Sequence, residues 1–271
     1  MQIVIGFLLA SLIGILAWRM GSLTRSGALA ATLTGTLVFG LGGFPWAVLL
    51  LTFFISSSAL SRLFSRRKKL VNEKFSKGSR RDWGQVLANG GLGALTAVAA
   101  FLLPQEIWPW IAFSGAMAAV NSDTWATELG VLNPNPPRLI TSFRVVESGT
   151  SGAISPLGSL ASFSGAGLIG ILVVIFSAST TQSIQQSIYL FFAISIGGVL
   201  GSFFDSFLGA TFQAIYICPA CQKETERHPL HTCGTPTQLK KGWTWLNNDW
   251  VNFLCSVMGA SVAVGLVRLF F

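Results

Sequence analysis

The stretch Asn121-Ser122-Asp123-Thr124-Trp125-Ala126-Thr127-Glu128-Leu129-Gly130 places two carboxylates among hydroxyl and carboxamide side chains at the end of an apolar run. Charge is costly there, and carboxylates in an apolar spanning segment face a bundle interior or a wet cavity and mark ion or substrate sites. At about 100° per residue, Asn121, Thr124 and Glu128 fall on one line of a helix, with Asp123 and Thr127 beside it. A second apolar run carries Ser202, Asp205, Ser206, Gly209 and Gln213 at spacings of three and four, a single polar stripe. Two further runs begin with polar faces, one with Gln85 and Asn89, the other with Asn248, Asp249 and Asn252.

Carboxylates and carboxamides gathered from four helices suit phosphoryl transfer. Mg²⁺ is a hard ion that takes carboxylate oxygens together with substrate phosphates, and basic side chains neutralise the remaining phosphate charge. Asp123, Glu128, Asp205 and Asp249 are therefore the catalytic, magnesium-binding candidates, and Arg25 and Arg144 the phosphate-binding cations. Asn89, Asn121, Asn248 and Asn252 would line the same polar layer. Just after Arg144, Gly149-Thr150-Ser151-Gly152 sets two glycines around two hydroxyls ahead of an expected helix start. Exposed amides and the positive helix end suit phosphate there, although the same turn also reads as a plain helix cap. No Gly-x-x-x-x-Gly-Lys-Ser/Thr run exists, so a soluble-type nucleotide loop is not indicated.

The elements that must hold these groups are membrane helices. A mean hydropathy of +0.62 with 10% charged residues is too apolar for an ordinary soluble domain and predicts an all-α, polytopic bundle. Eight apolar segments of spanning length can be drawn, at 2–18, 27–43, 45–61, 85–103, 108–129, 152–177, 187–214 and 250–270. The second is short and interrupted by Gly35 and Gly40; the seventh is long enough to tilt or break. The chain reads as one integral membrane domain over 1–271, with insertions at about 62–84 and 215–249.

The basic residues test the count, because Lys and Arg collect in short cytoplasmic loops. With eight spans, every Lys and Arg except Arg268 falls on one side, including the dense run from Arg62 to Arg81. Both termini are then expected outside and the polar layer at the cytoplasmic face, in a bacterial inner membrane or a thylakoid membrane. The first span lacks a basic start and a small-residue cleavage site and reads as retained. The basic loop suits anionic lipid heads or nucleotide phosphates, or serves only as a topology signal. Nucleic acid is not an expected partner.

The 215–249 insertion holds Cys218-Pro219-Ala220-Cys221, then His228, His231 and Cys233. Cys-x-x-Cys with a later His and Cys can supply a tetrahedral structural zinc, His231 being the preferred histidine. A metal-free loop and a redox pair are the alternatives, and Cys255, inside the last span, reads as a packing residue.

These motifs resemble one family. Arg80-Arg81-Asp82-Trp83-Gly84-Gln85, the Asp123-to-Gly130 run, Arg144-Val145-Val146 with Gly149-Thr150-Ser151-Gly152, Gly201-Ser202-Phe203-Phe204-Asp205-Ser206 and Asn248-Asp249-Trp250-Val251-Asn252 are similar to the integral membrane family labelled domain of unknown function ninety-two. That family includes the phytyl-phosphate kinase of plants and cyanobacteria. The resemblance implies a polyprenol-kinase-like enzyme that uses a nucleoside triphosphate, CTP in the plant case, to make phytyl diphosphate for tocopherol and phylloquinone synthesis. The implied partners are that nucleotide, a prenyl phosphate and membrane lipids. The same residues also fit a cytidylyltransferase making a CDP-lipid, and intramembrane carboxylates also occur in transporters. No inverted repeat is evident and the carboxylates sit toward one face, whereas a transport site lies near midplane.

Overall fold

The computed structural model describes residues 1–64, 80–178 and 183–270 of the chain. The charges at Arg66, Arg67, Lys68, Lys69, Lys74 and Lys77 lie outside the described residues. Among these described residues eight α-helices follow in order: α1 (Gln2–Arg19), α2 (Arg25–Leu37), α3 (Phe44–Leu63), α4 (Trp83–Leu102), α5 (Trp108–Gly130), α6 (Pro156–Ser177), α7 (Ile184–Thr211) and α8 (Asn248–Phe270). All but α2 and α5 are long and apolar enough to cross a membrane by length and composition. Helix α2 has only 13 residues and passes into a π turn over Val38–Gly42 before Gly43, at φ 88°, reverses the chain. Helix α7 is 28 residues long and unbroken.

Helix α5 is the centre, packed against α3, α4, α6, α7 and α8. Its middle, from Ile111 to Ser122, is buried on every side, so no apolar stripe distinguishes one face. Small residues let its neighbours come close: a Cβ at Gly115 would overlap the Gly259 carbonyl of α8, and one at Gly201 of α7 would overlap Ala119 of α5. Such close approach is how helices associate in a bilayer, where apolar burial gives no preference for protein over lipid. Since Gly201 and Ala119 meet, the residues one turn further along each helix, Asp205 and Asp123, are carried to the same level.

The helices alternate in direction, so the start of α4, α6 and α8 and the end of α3, α5 and α7 share one end of the bundle. That end carries a short antiparallel pair, β1 (Arg138–Leu139) with β2 (Ala153–Ile154). It also carries a three-stranded antiparallel sheet ordered β4 (Lys223–Thr225), β3 (Ile215–Cys218), β5 (Gln238–Lys241). Among the described residues, Arg268 is the only Lys or Arg at the opposite end.

Candidate functional site

A cavity of about 310 Å³ opens at that end. Asp123, Thr124, Thr127 and Glu128 reach it from α5, Ser202, Asp205 and Ser206 from α7, Gln85 and Asn89 from α4, Asn248 and Asn252 from α8, and Ser155, Ser159 and Ser162 from the start of α6. Five helices thus present polar side chains to one space.

The carboxylates are in unlike surroundings. Asp123 accepts a hydrogen bond from Ser202. Asp205 has Asp123 and Glu226 within electrostatic reach, and its Oδ2 is buried with no hydrogen-bond partner among the described residues. A buried anionic oxygen facing other anions is costly unless a proton or a cation joins it. Glu128, by contrast, accepts from Ser61 Oγ at 2.6 Å and has the Arg81 guanidinium within electrostatic reach.

Among the described residues Arg81 is the cation that lines the cavity; the expected Arg25 and Arg144 do not line it. Arg81 Nη1 donates to Ser58 Oγ and its Nη2 to Ser57 Oγ, each at 2.9 Å, and the guanidinium lies over the rings of Phe53 and Phe54. The backbone fixes it too. Arg81 N donates to Ser22 O, and Thr24 N to Arg81 O; a Cβ at Gly27 would overlap that carbonyl oxygen, so only glycine allows this approach. Asp82 then caps α4 through a reciprocal capping box with Gln85. Arg25 instead lies exposed at the start of α2 against Trp18, and Arg144 lies exposed in the turn after β1.

Two other expected residues fall elsewhere. Asn121 is fully buried: its Nδ2 donates to Gly165 O of α6 at 2.8 Å, and its Oδ1 accepts from Ser56 of α3, which also takes Trp125 Nε1. It is a strut between helices, as is Ser122, paired with Ser162. Asp249 does not line the cavity; the face that does is Asn248 and Asn252, four apart, and Asp249 lies about 100° round the helix from Asn248.

Gly149, Thr150, Ser151 and Gly152 do line the cavity, but not as a helix cap. Ser155 caps α6, accepting from Gly158 N at 3.1 Å, with Pro156 in the first turn. The Gly149 and Gly152 backbones are left-handed, both at φ 80°, and a Cβ at Gly152 would overlap Ala210 at the end of α7. Ser151 Oγ donates to Gln213 Oε1 at 2.6 Å, and Gln213 Nε2 donates to Glu226 Oε1 at 2.9 Å. Glu226, from the cysteine-bearing insertion, is therefore a cavity carboxylate that no helical period announces.

Within that insertion Cys218, Cys221, His231 and Cys233 bring one ligand atom each to within 4.8 Å of one another, an arrangement that could hold a metal ion. The Thr235 hydroxyl and then His231 pull the Cys233 thiol down to about 5, while the hydrogen bond with Cys233 and then burial push Cys221 up to about 11. Cys255 is buried in α8, as its apolar setting predicts.

The chain is 32% identical over 270 residues to Protein PGR of Arabidopsis thaliana, covering 93% of this chain and 92% of that one. It is 29% identical over 263 residues to an uncharacterized membrane protein of Methanocaldococcus jannaschii, covering 97% and 93% respectively. Protein VTE6, chloroplastic, of Arabidopsis thaliana is 26% identical over 250 residues, covering 89% of this chain and 64% of that protein. No solved structure matches. The profile of the family described as integral membrane protein DUF92 matches residues 8–260, and the chain belongs to that integral membrane family.

Proposed function

We propose that this protein is a membrane-embedded prenyl-phosphate kinase. It would move a phosphoryl group from a nucleoside triphosphate, CTP by family resemblance, to phytyl phosphate or a related isoprenoid monophosphate, and the diphosphate would feed tocopherol or phylloquinone synthesis. One observation carries the reading: the polar cavity shares the wall Arg81, Gln85 and Asn89 with an apolar groove of about 220 Å³. The groove is bounded by α1 to α4, and apart from that wall Thr34 is its only polar lining residue among those described. A phosphate on an apolar chain is the amphiphile that fits such a pair of spaces, with its head at Arg81 and its tail between the helices.

The residues divide the work. With five N–H donors in its fork, Arg81 keeps donors beyond the two spent on Ser57 and Ser58, and these would hold the lipid phosphate. Asp123 and Asp205 fit Mg²⁺: the buried, unpartnered Asp205 Oδ2 and the adjacent carboxylates suit a hard cation that also takes substrate phosphate oxygens. When bound, Mg²⁺ supplies neutralisation of charge on the transferring phosphoryl group. The hydroxyls and left-handed amides of Gly149-Thr150-Ser151-Gly152 would hold the nucleotide phosphates. The attacking group, a phosphate monoester with its second pKa near 6, is already anionic at neutral pH, so the site needs no strong general base.

The test is product identity. Purified protein is incubated with Mg²⁺, phytyl phosphate and CTP labelled either in the γ-phosphate or in the base. Label from the γ-phosphate in phytyl diphosphate is expected. A lipid carrying the base label would make the protein a cytidylyltransferase, and no lipid product with solute flux in proteoliposomes would make it a transporter.

A further inference from the structure

The cysteine-bearing insertion reaches into the cavity through one residue. Residues 215–241 form a sheet whose middle strand β3 ends at Cys218, and whose partner β4 has only three residues. A segment this small cannot bury enough apolar surface to hold one conformation alone, and such segments usually carry a metal or disulfides.

The ligand geometry favours the metal. Cys218 Sγ and Cys233 Sγ are 3.6 Å apart, and His231 Nδ1 and Cys233 Sγ 3.2 Å. A disulfide requires about 2.05 Å. A tetrahedral ion with Zn–S bonds of about 2.3 Å separates its ligand atoms by about 3.8 Å, close to what is seen. The two ligand turns are preformed. Gln222 N donates to Cys218 O and Gln222 is left-handed at φ 55°, closing the Cys-x-x-Cys turn. Gly234 N donates to His231 O with Gly234 at φ 84°, closing the second. His231 is buried, and its Nε2 has no hydrogen-bond partner among the described residues.

From the ligands the connection to the cavity is short. Cys218 pairs with Lys223 and Tyr216 with Thr225, so the turn that carries Cys218 and Cys221 joins β3 to β4 and sets the place of the residue just beyond Thr225, which is Glu226. Glu226 is then held by Gln213, which is itself held by Ser151 of the glycine-flanked loop. Tyr216 stacks on His228 at 4.5 Å, and Lys241 Nζ caps the end of α7 through the carbonyls of Gly209 and Ala210. The sheet is thereby locked to α7 four to five residues beyond Asp205.

We propose that Cys218, Cys221, His231 and Cys233 bind one structural Zn²⁺, and that this ion positions Glu226 as a third carboxylate beside Asp205 and Asp123. Binding deprotonates the thiols and releases their protons to solvent. Zinc does not touch substrate; it clamps the sheet from which Glu226 enters the cavity. The zinc site stands on its own geometry, and only the use of Glu226 for a catalytic cation rests on the kinase reading.

The experiment reads metals directly and needs no turnover. Full-length protein without a histidine tag, purified in detergent with no added metal, should contain one zinc per chain by elemental analysis, and Co²⁺-exchanged protein should show the intense d–d bands of a tetrahedral, thiolate-ligated ion. Binding of Mn²⁺, as a spectroscopic stand-in for Mg²⁺, is then measured by electron paramagnetic resonance. Glu226→Gln should keep its zinc and bind Mn²⁺ about tenfold more weakly, and Cys233→Ser should lose zinc and show a similar weakening. Absence of zinc, or cobalt spectra of an octahedral ion, overturns the site. Unchanged Mn²⁺ affinity in Glu226→Gln with zinc retained overturns the positioning role. If Cys233→Ser does not fold, chelation of zinc from wild-type protein gives the same comparison. A protein that binds both metals as expected but makes no lipid diphosphate leaves this proposal standing and removes the kinase.

Discussion

Two carboxylate groupings lie in the same cavity and are treated oppositely by the fold. On the α3 side, Glu128 has Ser61 and Arg81 to answer its charge. On the α7 side, Asp205 faces Asp123 and Glu226, and one of its oxygens is buried without a partner among the described residues. In the first grouping a cation of the protein answers the carboxylate; in the second the charges that reach Asp205 are those of other carboxylates. In the proposed reading, stability resides on the Glu128 side and cation binding on the Asp205 side, where natural proteins accept local cost for function.

That difference can be broken from either side. The largest effect is expected from Asp205→Asn and Asp123→Asn. Each should lower phosphoryl transfer about a thousandfold or more, since a ligand to a charge-stabilising ion is worth several kcal/mol and each 1.4 or so is tenfold. Thermal unfolding in detergent should show these variants at least as stable as wild type, because a buried, poorly compensated charge has been removed. Loss of stability together with loss of activity would erase the distinction between the two groupings.

Arg81→Lys comes next. A point charge cannot reproduce the fork that joins Ser57 and Ser58 while reaching the cavity, so KM for the lipid phosphate should rise about tenfold to a hundredfold with a smaller change in kcat. Glu128→Gln should do the reverse of Asp205→Asn, costing about 2 kcal/mol of stability by weakening a charge-assisted contact while retaining most activity at saturating substrate. Denaturation monitored beside turnover separates the two. Ala47→Leu, in the wall of the apolar groove, should raise KM about tenfold for long prenyl chains and less for short ones, from overpacking worth about 1–3 kcal/mol. A uniform effect across chain lengths would place the tail elsewhere.

The sequence made most helices legible because most apolar runs are of spanning length, and it made Asp123 and Asp205 legible because each interrupts such a run. It could not separate Asn121 from Asp123, since whether a polar residue is a strut or a cavity wall depends on the neighbouring helices, here α3 and α6. Asp249 shares one broad polar arc with Asn248 and Asn252, and the arc alone does not say which part of it faces the cavity. Arg81 stood within a recognisable motif, but among so many basic neighbours it read as part of a topology signal. Its selection comes from backbone pairing with Ser22 and Thr24 nearly sixty residues away, which no local period reports. Glu226 reaches the cavity from a sheet whose strands are too short to show alternation.

If the Asp123–Asp205 pair holds the cation for phosphoryl transfer to a lipid phosphate, the γ-label of CTP should pass into phytyl diphosphate in a Mg²⁺-dependent way. In matched proteoliposomes across a Mg²⁺ titration, wild-type protein should label the lipid, and Asp205→Asn should label it about a thousandfold or more slowly at every Mg²⁺ concentration. Equal rates with the same Mg²⁺ dependence would contradict that role of the pair and make the polar layer a structural one.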